Sequence, residues 1–177
     1  MKIPGWFNFS DFYVKIIKRF HKAHFVEVGG FLGASCCFMA NLIKKSGKEI
    51  KFDVIDIWED TGSVSQKKIT RKLKKSIYEE FLENVRRAGA QNINPIKMDS
   101  ISASALYEDE SLDFVFIDAC HQYEAVSMDI KHWLPKIKPG GILAGHDFSG
   151  PGVRKAVKEI FGQKFRRISR DCWMVEI

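Results

Sequence analysis

Phe25-Val26-Glu27-Val28-Gly29-Gly30-Phe31-Leu32-Gly33-Ala34-Ser35 joins an apolar strand to a helix through a glycine turn. Glycine in such a turn permits positive φ and lets backbone approach a ligand, while free N–H groups at the helix start attract electron-rich groups. A dinucleotide turn would read G-x-G-x-x-G, with the helix dipole aimed at a pyrophosphate. Here Gly29 and Gly33 are separated by three residues, and an acid, Glu27, stands two residues before the first glycine. That arrangement suits a cationic ligand better than an anionic diphosphate.

Outward from this turn the chain alternates strand and helix. Before it, Phe9, Phe12, Tyr13, Ile16, Ile17 and Phe20 with interspersed basic residues predict an amphipathic helix, capped by Ser10 or Asn8. After it come a helix from Ala34 to about Lys45, ended near Gly47, and a strand from Ile50 to Ile57. A loop is expected at Thr61 to Ser65, then one basic helix in which Ile69, Leu73, Ile77, Phe81 and Val85 form the apolar face. Further on, strands are expected at Ile93–Met98, Leu112–Ile117 and Ile142–Gly145, the last after a Pro139-Gly140-Gly141 turn. Helices are expected at Ser100–Tyr107, from Tyr123 and at Val153–Phe161, and a closing hairpin at Phe165–Ser169 and Cys172–Ile177 across Arg170-Asp171. The fold class is therefore α/β: a single-domain, Rossmann-like, doubly wound and mostly parallel seven-stranded sheet with a C-terminal antiparallel hairpin. Residues 1–22 are set apart as an N-terminal helix on the substrate side, and residues 23–177 as the ligand-binding domain.

With 177 residues, 45% hydrophobic and 28% charged, the chain suffices for one domain with a full core. No apolar run is long enough to cross a membrane, and the first residues lack the pattern of a secretory signal, so a cytoplasmic protein is expected. The four cysteines, Cys36, Cys37, Cys120 and Cys172, have neither C-x-x-C nor zinc-like spacing, as suits a reducing compartment. The net charge of +6 is concentrated in Lys67, Lys68, Arg71, Lys72, Lys74, Lys75, Arg86 and Arg87. A solvated helix face accounts for it; a phosphate-bearing or nucleic-acid partner is the functional alternative.

Ligands of open α/β sheets bind at the carboxyl ends of strands. Every one of the five parallel strands ends there on polar residues: Glu27 and Gly29, Asp56 with Trp58, Asp99 and Ser100, Asp118 and His121, and His146 with Asp147. Five such endings converge on one edge and mark a shared site.

Ile117-Asp118-Ala119-Cys120-His121-Gln122-Tyr123-Glu124, followed by Asp129, Trp133, Pro139-Gly140-Gly141 and Gly145-His146-Asp147, resembles the class I S-adenosylmethionine-dependent methyltransferases from about Phe25 to Ile177. Within them the similarity is to a branch with macrocin O-methyltransferase and cephalosporin-biosynthetic relatives. The resemblance implies S-adenosylmethionine as cofactor. Glu27 would take its amino group; Gly29, Gly30, Phe31, Gly33 and Ser35 would pass under the methionine and ribose. Asp56 would accept from the ribose hydroxyls, Trp58 would cover the sugar or adenine edge, and Asp99 with Ser100 would meet the adenine, with Asp118 also at the cofactor.

The same resemblance implies O-methylation of a small-molecule hydroxyl on a sugar or natural-product-like acceptor. Asp118 and Asp147 would supply oxygen ligands to Mg2+, the arrangement of catechol-type and macrocin-type enzymes. Where those carry a second acid or amide beside the last-strand aspartate, this chain has His146 before Asp147 and Phe148 after it. His121 and His146 are alternative general bases, and Asp118 a third catalytic candidate. Asp118-Ala119-Cys120-His121 stands where an amino-group methyltransferase would carry an Asn-Pro-Pro-Tyr type motif, which points to oxygen as the acceptor. The competing readings are a nicotinamide oxidoreductase, opposed by the glycine spacing, and a nucleotide- or RNA-binding module using the basic helix. Trp6 and Phe7 are read either as an aromatic lid over the cofactor or as packing against the first helix or a second subunit. Monomer and homo-oligomer are both compatible with the sequence.

Overall fold

The computed structural model describes residues 3–60, 64–169 and 171–177. Seven strands form one sheet in the order β3-β2-β1-β4-β5-β7-β6. They are β1 (Lys22–Val28), β2 (Glu49–Asp56), β3 (Ile93–Lys97), β4 (Leu112–Ile117), β5 (Ile137–Gly145), β6 (Arg166–Arg167) and β7 (Trp173–Glu176). The first five run parallel, whereas β7 is antiparallel to both β5 and β6. The hairpin expectation holds, with part of its turn, Arg170, outside the described residues.

Alternation of side chains along β1 divides the core into two layers. Phe25 faces a cluster built with α1 (Ser10–Arg19), α2 (Ala34–Ser46) and α4 (Ile77–Arg87). Val26 and Val28 face the other, with α5 (Ser100–Ser104), α6 (Tyr123–Trp133) and α7 (Pro151–Phe161). Phe12, Tyr13 and Ile16 of α1 are buried against Phe25, Phe114 and Phe116, so this helix shares the core of the sheet. At the N-terminus of α1 the residue in the capping position is Phe9, without a side-chain cap, and Ser10 is the first helical residue. Asn8 is used elsewhere, as described below.

Two further expectations change. The single basic helix is two: α3 (Val64–Thr70) and α4, separated by a turn. The break is local chemistry, because Ser76 and Glu79 form a reciprocal capping box that starts α4 afresh. The anticipated loop before it, Thr61 to Ser65, lies mostly outside the described residues. Pro139-Gly140-Gly141 is not a turn ahead of a strand but part of β5, whose pairing with β4 shifts register between Leu112 and Phe114. That irregularity accommodates the proline and glycines within a paired strand.

Candidate active site

The glycine turn brings β1 against α2 and β4. Gly29 has φ 103°, and a Cβ there would lie 2.0 Å from the Asp118 carbonyl oxygen, so no larger residue fits beside β4. Gly33, with φ 90°, precedes α2. Between them Phe31 adopts φ 41° and Trp58, after β2, adopts φ 47°. Those are costly angles for residues with side chains. Asp56 is what holds both: Oδ2 accepts the Phe31 N–H at 2.8 Å, and Oδ1 accepts the Trp58 N–H at 2.7 Å. Burial pushes the Asp56 carboxyl upward against those backbone bonds. The Gly30 and Ile57 N–H groups also favour its charged form.

Glu27 is 1% exposed on the α1 and α2 side of the sheet. Ser35 donates its hydroxyl to Oε1, and Cys36 Sγ lies 3.3 Å from the same atom. The other oxygen, Oε2, has no hydrogen-bond partner among the described residues, nor does the buried Tyr13 hydroxyl. Burial raises Glu27 to about 7. Tyr13 is likewise pushed up, first by burial and then by the nearby charges of Glu27 and others, Asp118 included. Glu27 and Tyr13 lie close enough to perturb each other's titration, yet neither Oε2 nor the Tyr13 hydroxyl completes a hydrogen bond among the described residues, and a buried polar atom left so costs about 1–3 kcal/mol. A ligand ammonium and carboxylate would satisfy such a pair, and Tyr13 was not among the residues singled out from sequence.

At the ends of β4 and β5 two carboxylates and two histidines meet. His121 Nε2 lies 2.9 Å from Asp147 Oδ2; His146 Nδ1 lies 3.1 Å from the same oxygen and 3.5 Å from Asp118 Oδ1. His146 Nε2 is 2.9 Å from Asn8 Oδ1, which ties the segment before α1 to the cluster. Desolvation works against protonating His146, but hydrogen bonds and charges from Asp118 and Asp147 outweigh it and lift the imidazole to about 10. Buried and engaged at both nitrogens, His146 is held inside the cluster by Asp147 and Asn8. Hydrogen bonds from His121 and His146, overcoming burial, hold Asp147 far below the usual carboxylate range, whereas burial raises Asp118. His121 is pushed up by Asp147, yet its side chain is 54% exposed at the rim.

Asp118, His121 and Asp147 also offer ligand atoms that all lie within 4.8 Å of one another, so they could close on one divalent cation. Two carboxylates and an imidazole fit a first-row ion such as Mn2+ at least as well as Mg2+, which prefers oxygen alone.

The remaining sequence-picked residues fall differently. Trp58 is buried between Tyr78 and Phe81, its indole N–H donated to the Phe31 carbonyl at 2.9 Å. Its faces are packed in the core, and it braces the glycine turn. Asp99 is exposed and accepts the Ser102 N–H at 2.9 Å, capping α5, while Ser100 Oγ accepts the Trp133 indole N–H. Cys120 is exposed, and Cys36, Cys37 and Cys172 are buried; all four are free.

A profile of a methyltransferase-domain family matches residues 26–148. Protein y4gI of Sinorhizobium fredii (strain NBRC 101917 / NGR234), itself described as uncharacterized, is 21% identical over 147 residues. The alignment covers 81% of this chain, and the chain spans only 15% of that relative's length. Among solved structures, cofactor-bound Rv0187 from MTB superposes with a TM-score of 0.69 at 14% identity, covering 98% of this chain and 82% of that one. CalS11, a TDP-rhamnose 3'-O-methyltransferase of calicheamicin biosynthesis, gives 0.68 at 12% identity, covering 94% and 77%. The O-methyltransferase NovP gives 0.63 at 16% identity, covering 96% and 77%. At such identities the likeness is one of fold. No described helix is long and apolar enough to cross a membrane. The profile match, the strand order and the glycine turn after β1 together place the chain in the methyltransferase-domain family of class I S-adenosylmethionine-dependent methyltransferases.

Proposed function

We propose that this chain transfers the methyl group of S-adenosylmethionine to a hydroxyl of a small molecule, with His121 as the base. The observation that carries this reading is the His121–Asp147 contact of 2.9 Å at an exposed rim, one strand-end away from the orphaned Glu27 oxygen. Asp147 can only accept, so the His121 nitrogen facing it, Nε2, carries a proton and Nδ1 is left to receive one. The acceptor oxygen attacks the methyl carbon, the carbon–sulfur bond breaks with its electrons passing to sulfur, and the hydroxyl proton goes to Nδ1. The chain chiefly contributes alignment and proton removal.

The cofactor's amino group would bind Glu27 Oε2, with Gly29 leaving room beside Asp118. Asp56 would accept from the ribose, and Asp99 and Ser100 lie at the next strand end, where the adenine would be met. A divalent ion, if held by Asp118, His121 and Asp147, would supply acidification of the bound hydroxyl. His121 cannot serve as ligand and base through the same free nitrogen, so the two routes are separable by experiment. Titration of S-adenosylmethionine by calorimetry, with and without Mg2+ or Mn2+, is the first test, with Asp56→Ala as control. Micromolar binding weakened in the variant supports the reading, and its absence under every condition overturns it. Methyl transfer that persists in chelator assigns the proton to His121; transfer that requires the ion assigns His121 to the metal.

A further inference from the structure

The chain ahead of α1 forms one wall of a cleft beside the glycine turn. Trp6 stacks on Phe31 with ring centroids 5.7 Å apart and planes inclined by 28°, yet 54% of its surface stays exposed. Opposite stand Val64, Lys68 and Ile69 of α3, across an open groove of about 660 Å³. Asn8, two residues beyond Trp6, contacts His146, so chain geometry keeps the Trp6 wall within about 7 Å of the segment that touches the acid–base cluster.

The cleft has an uneven chemistry. Trp6 and the largely exposed Val64 line the same groove and give it an apolar wall. Lys68 stands beside them, and Lys67, Arg71, Lys72 and Lys74 continue the positive charge along α3 and the turn after it. None of the five makes an ion pair among the described residues, whereas the next lysine, Lys75, pairs with Glu83. Basic residues left uncompensated next to an open aromatic face attract a flat anion, through stacking at short range and the summed field at long range.

We propose that the methyl acceptor is a planar molecule bearing a phosphate, its ring laid on Trp6 and its phosphate held by Lys68. This rests on the methyltransferase reading, whose substrate class it names. Arg71 and Lys72 contribute attraction from a distance, and the hydroxyl to be methylated projects from the ring toward His121.

Trp58, Trp133 and Trp173 are buried, so Trp6 is the tryptophan that a groove ligand reaches, and the emission change lost in Trp6→Phe is its share. With S-adenosylhomocysteine bound, uridine monophosphate and phenyl phosphate are titrated beside uridine and phenol. The expected result is a saturable emission change for the phosphates, with binding at least about 10-fold weaker for their unphosphorylated counterparts. Trp6→Phe should remove the signal. Lys68→Glu should weaken phosphate binding about 10-fold by calorimetry while its affinity for S-adenosylhomocysteine stays unchanged. Preference for the nucleotide points to a nucleotide-borne phosphate and preference for phenyl phosphate to an aryl one, and either supports the proposal. Equal binding of phosphorylated and unphosphorylated probes overturns it, as does the lack of any saturable change while S-adenosylhomocysteine binds. A single-stranded oligonucleotide binding more than about 100-fold tighter than either phosphate also overturns it, in favour of a nucleic-acid partner. Failure of S-adenosylhomocysteine itself to bind strikes the methyltransferase reading instead.

Discussion

Glu27 and Trp6 flank the same glycine turn but are built on opposite terms. The Glu27 side is closed: a buried carboxylate with one oxygen satisfied, a buried tyrosine hydroxyl opposite, and glycines that admit no Cβ. The Trp6 side is open, with an exposed ring, an exposed valine and basic residues that make no ion pair among the described residues. The first geometry is prepared in the free protein and bears its desolvation cost in advance, which suits one invariant ligand. The second keeps its groups in water until a ligand arrives, which suits an acceptor that differs from enzyme to enzyme.

The largest effect that would sharpen this contrast is expected at Gly29. Gly29→Ala forces a Cβ into the Asp118 carbonyl at positive φ, and thermal unfolding should show a loss of at least about 3 kcal/mol together with loss of cofactor binding. Retention of both would mean that the turn yields easily and the closed side is not preformed.

His121→Gln comes next, with kcat expected to fall about 10²–10³-fold and calorimetric affinity for S-adenosylmethionine left within about 2-fold. An equal loss in affinity would place His121 on the cofactor side.

For Glu27→Gln, S-adenosylmethionine binding should weaken about 10- to 100-fold, the range of a lost charge-assisted contact. The same variant should melt higher than the parent at pH 8 without cofactor. The sign follows from the shift: Glu27 rises from 4.5 in the unfolded chain to about 7 when folded, so the stability tied to its neutral form is complete below 4.5 and lost as pH climbs toward 7. Glutamine cannot ionise and keeps that stability. Correspondingly, the parent's affinity for the cofactor should drop below pH 7, where binding must first expel the Glu27 proton.

Smallest is Tyr13→Phe. Removing an orphaned hydroxyl should leave the apo melting temperature unchanged or slightly higher while weakening cofactor binding about 3- to 10-fold. A lower melting temperature with unchanged affinity would show the hydroxyl to be a structural partner of Glu27.

Much of the fold could be read locally because β1, β2 and β4 place apolar residues at the buried positions and lead into polar residues, and periodicity reports burial directly. The α3/α4 break was missed although its signal, Ser76 followed three residues later by Glu79, is in the sequence; the apolar spacing running through Leu73 and Ile77 masked it. Trp58 shows what local spacing does not report. Its position after a site acid suggested a ligand contact, but an aromatic ring that can reach Phe81 and Tyr78 gains more by burial. His146 looked like His121 in sequence, each next to a strand-end acid. Their burial separates them, leaving one exposed and the other enclosed with two carboxylates and Asn8.

The sequence by itself determined the strand–helix alternation, the glycine turn and the set of polar residues at one edge of the sheet, since each follows from spacing, backbone freedom or side-chain polarity over a few residues. Only the tertiary structure decided which of them face one another: that Tyr13 points its hydroxyl at Glu27, that Asn8 reaches His146 138 residues away, and that Trp6 lies on Phe31. Those pairings depend on how α1 and the segment before it settle on a sheet formed mostly by later residues, and no local pattern encodes a contact whose partner is that far along the chain.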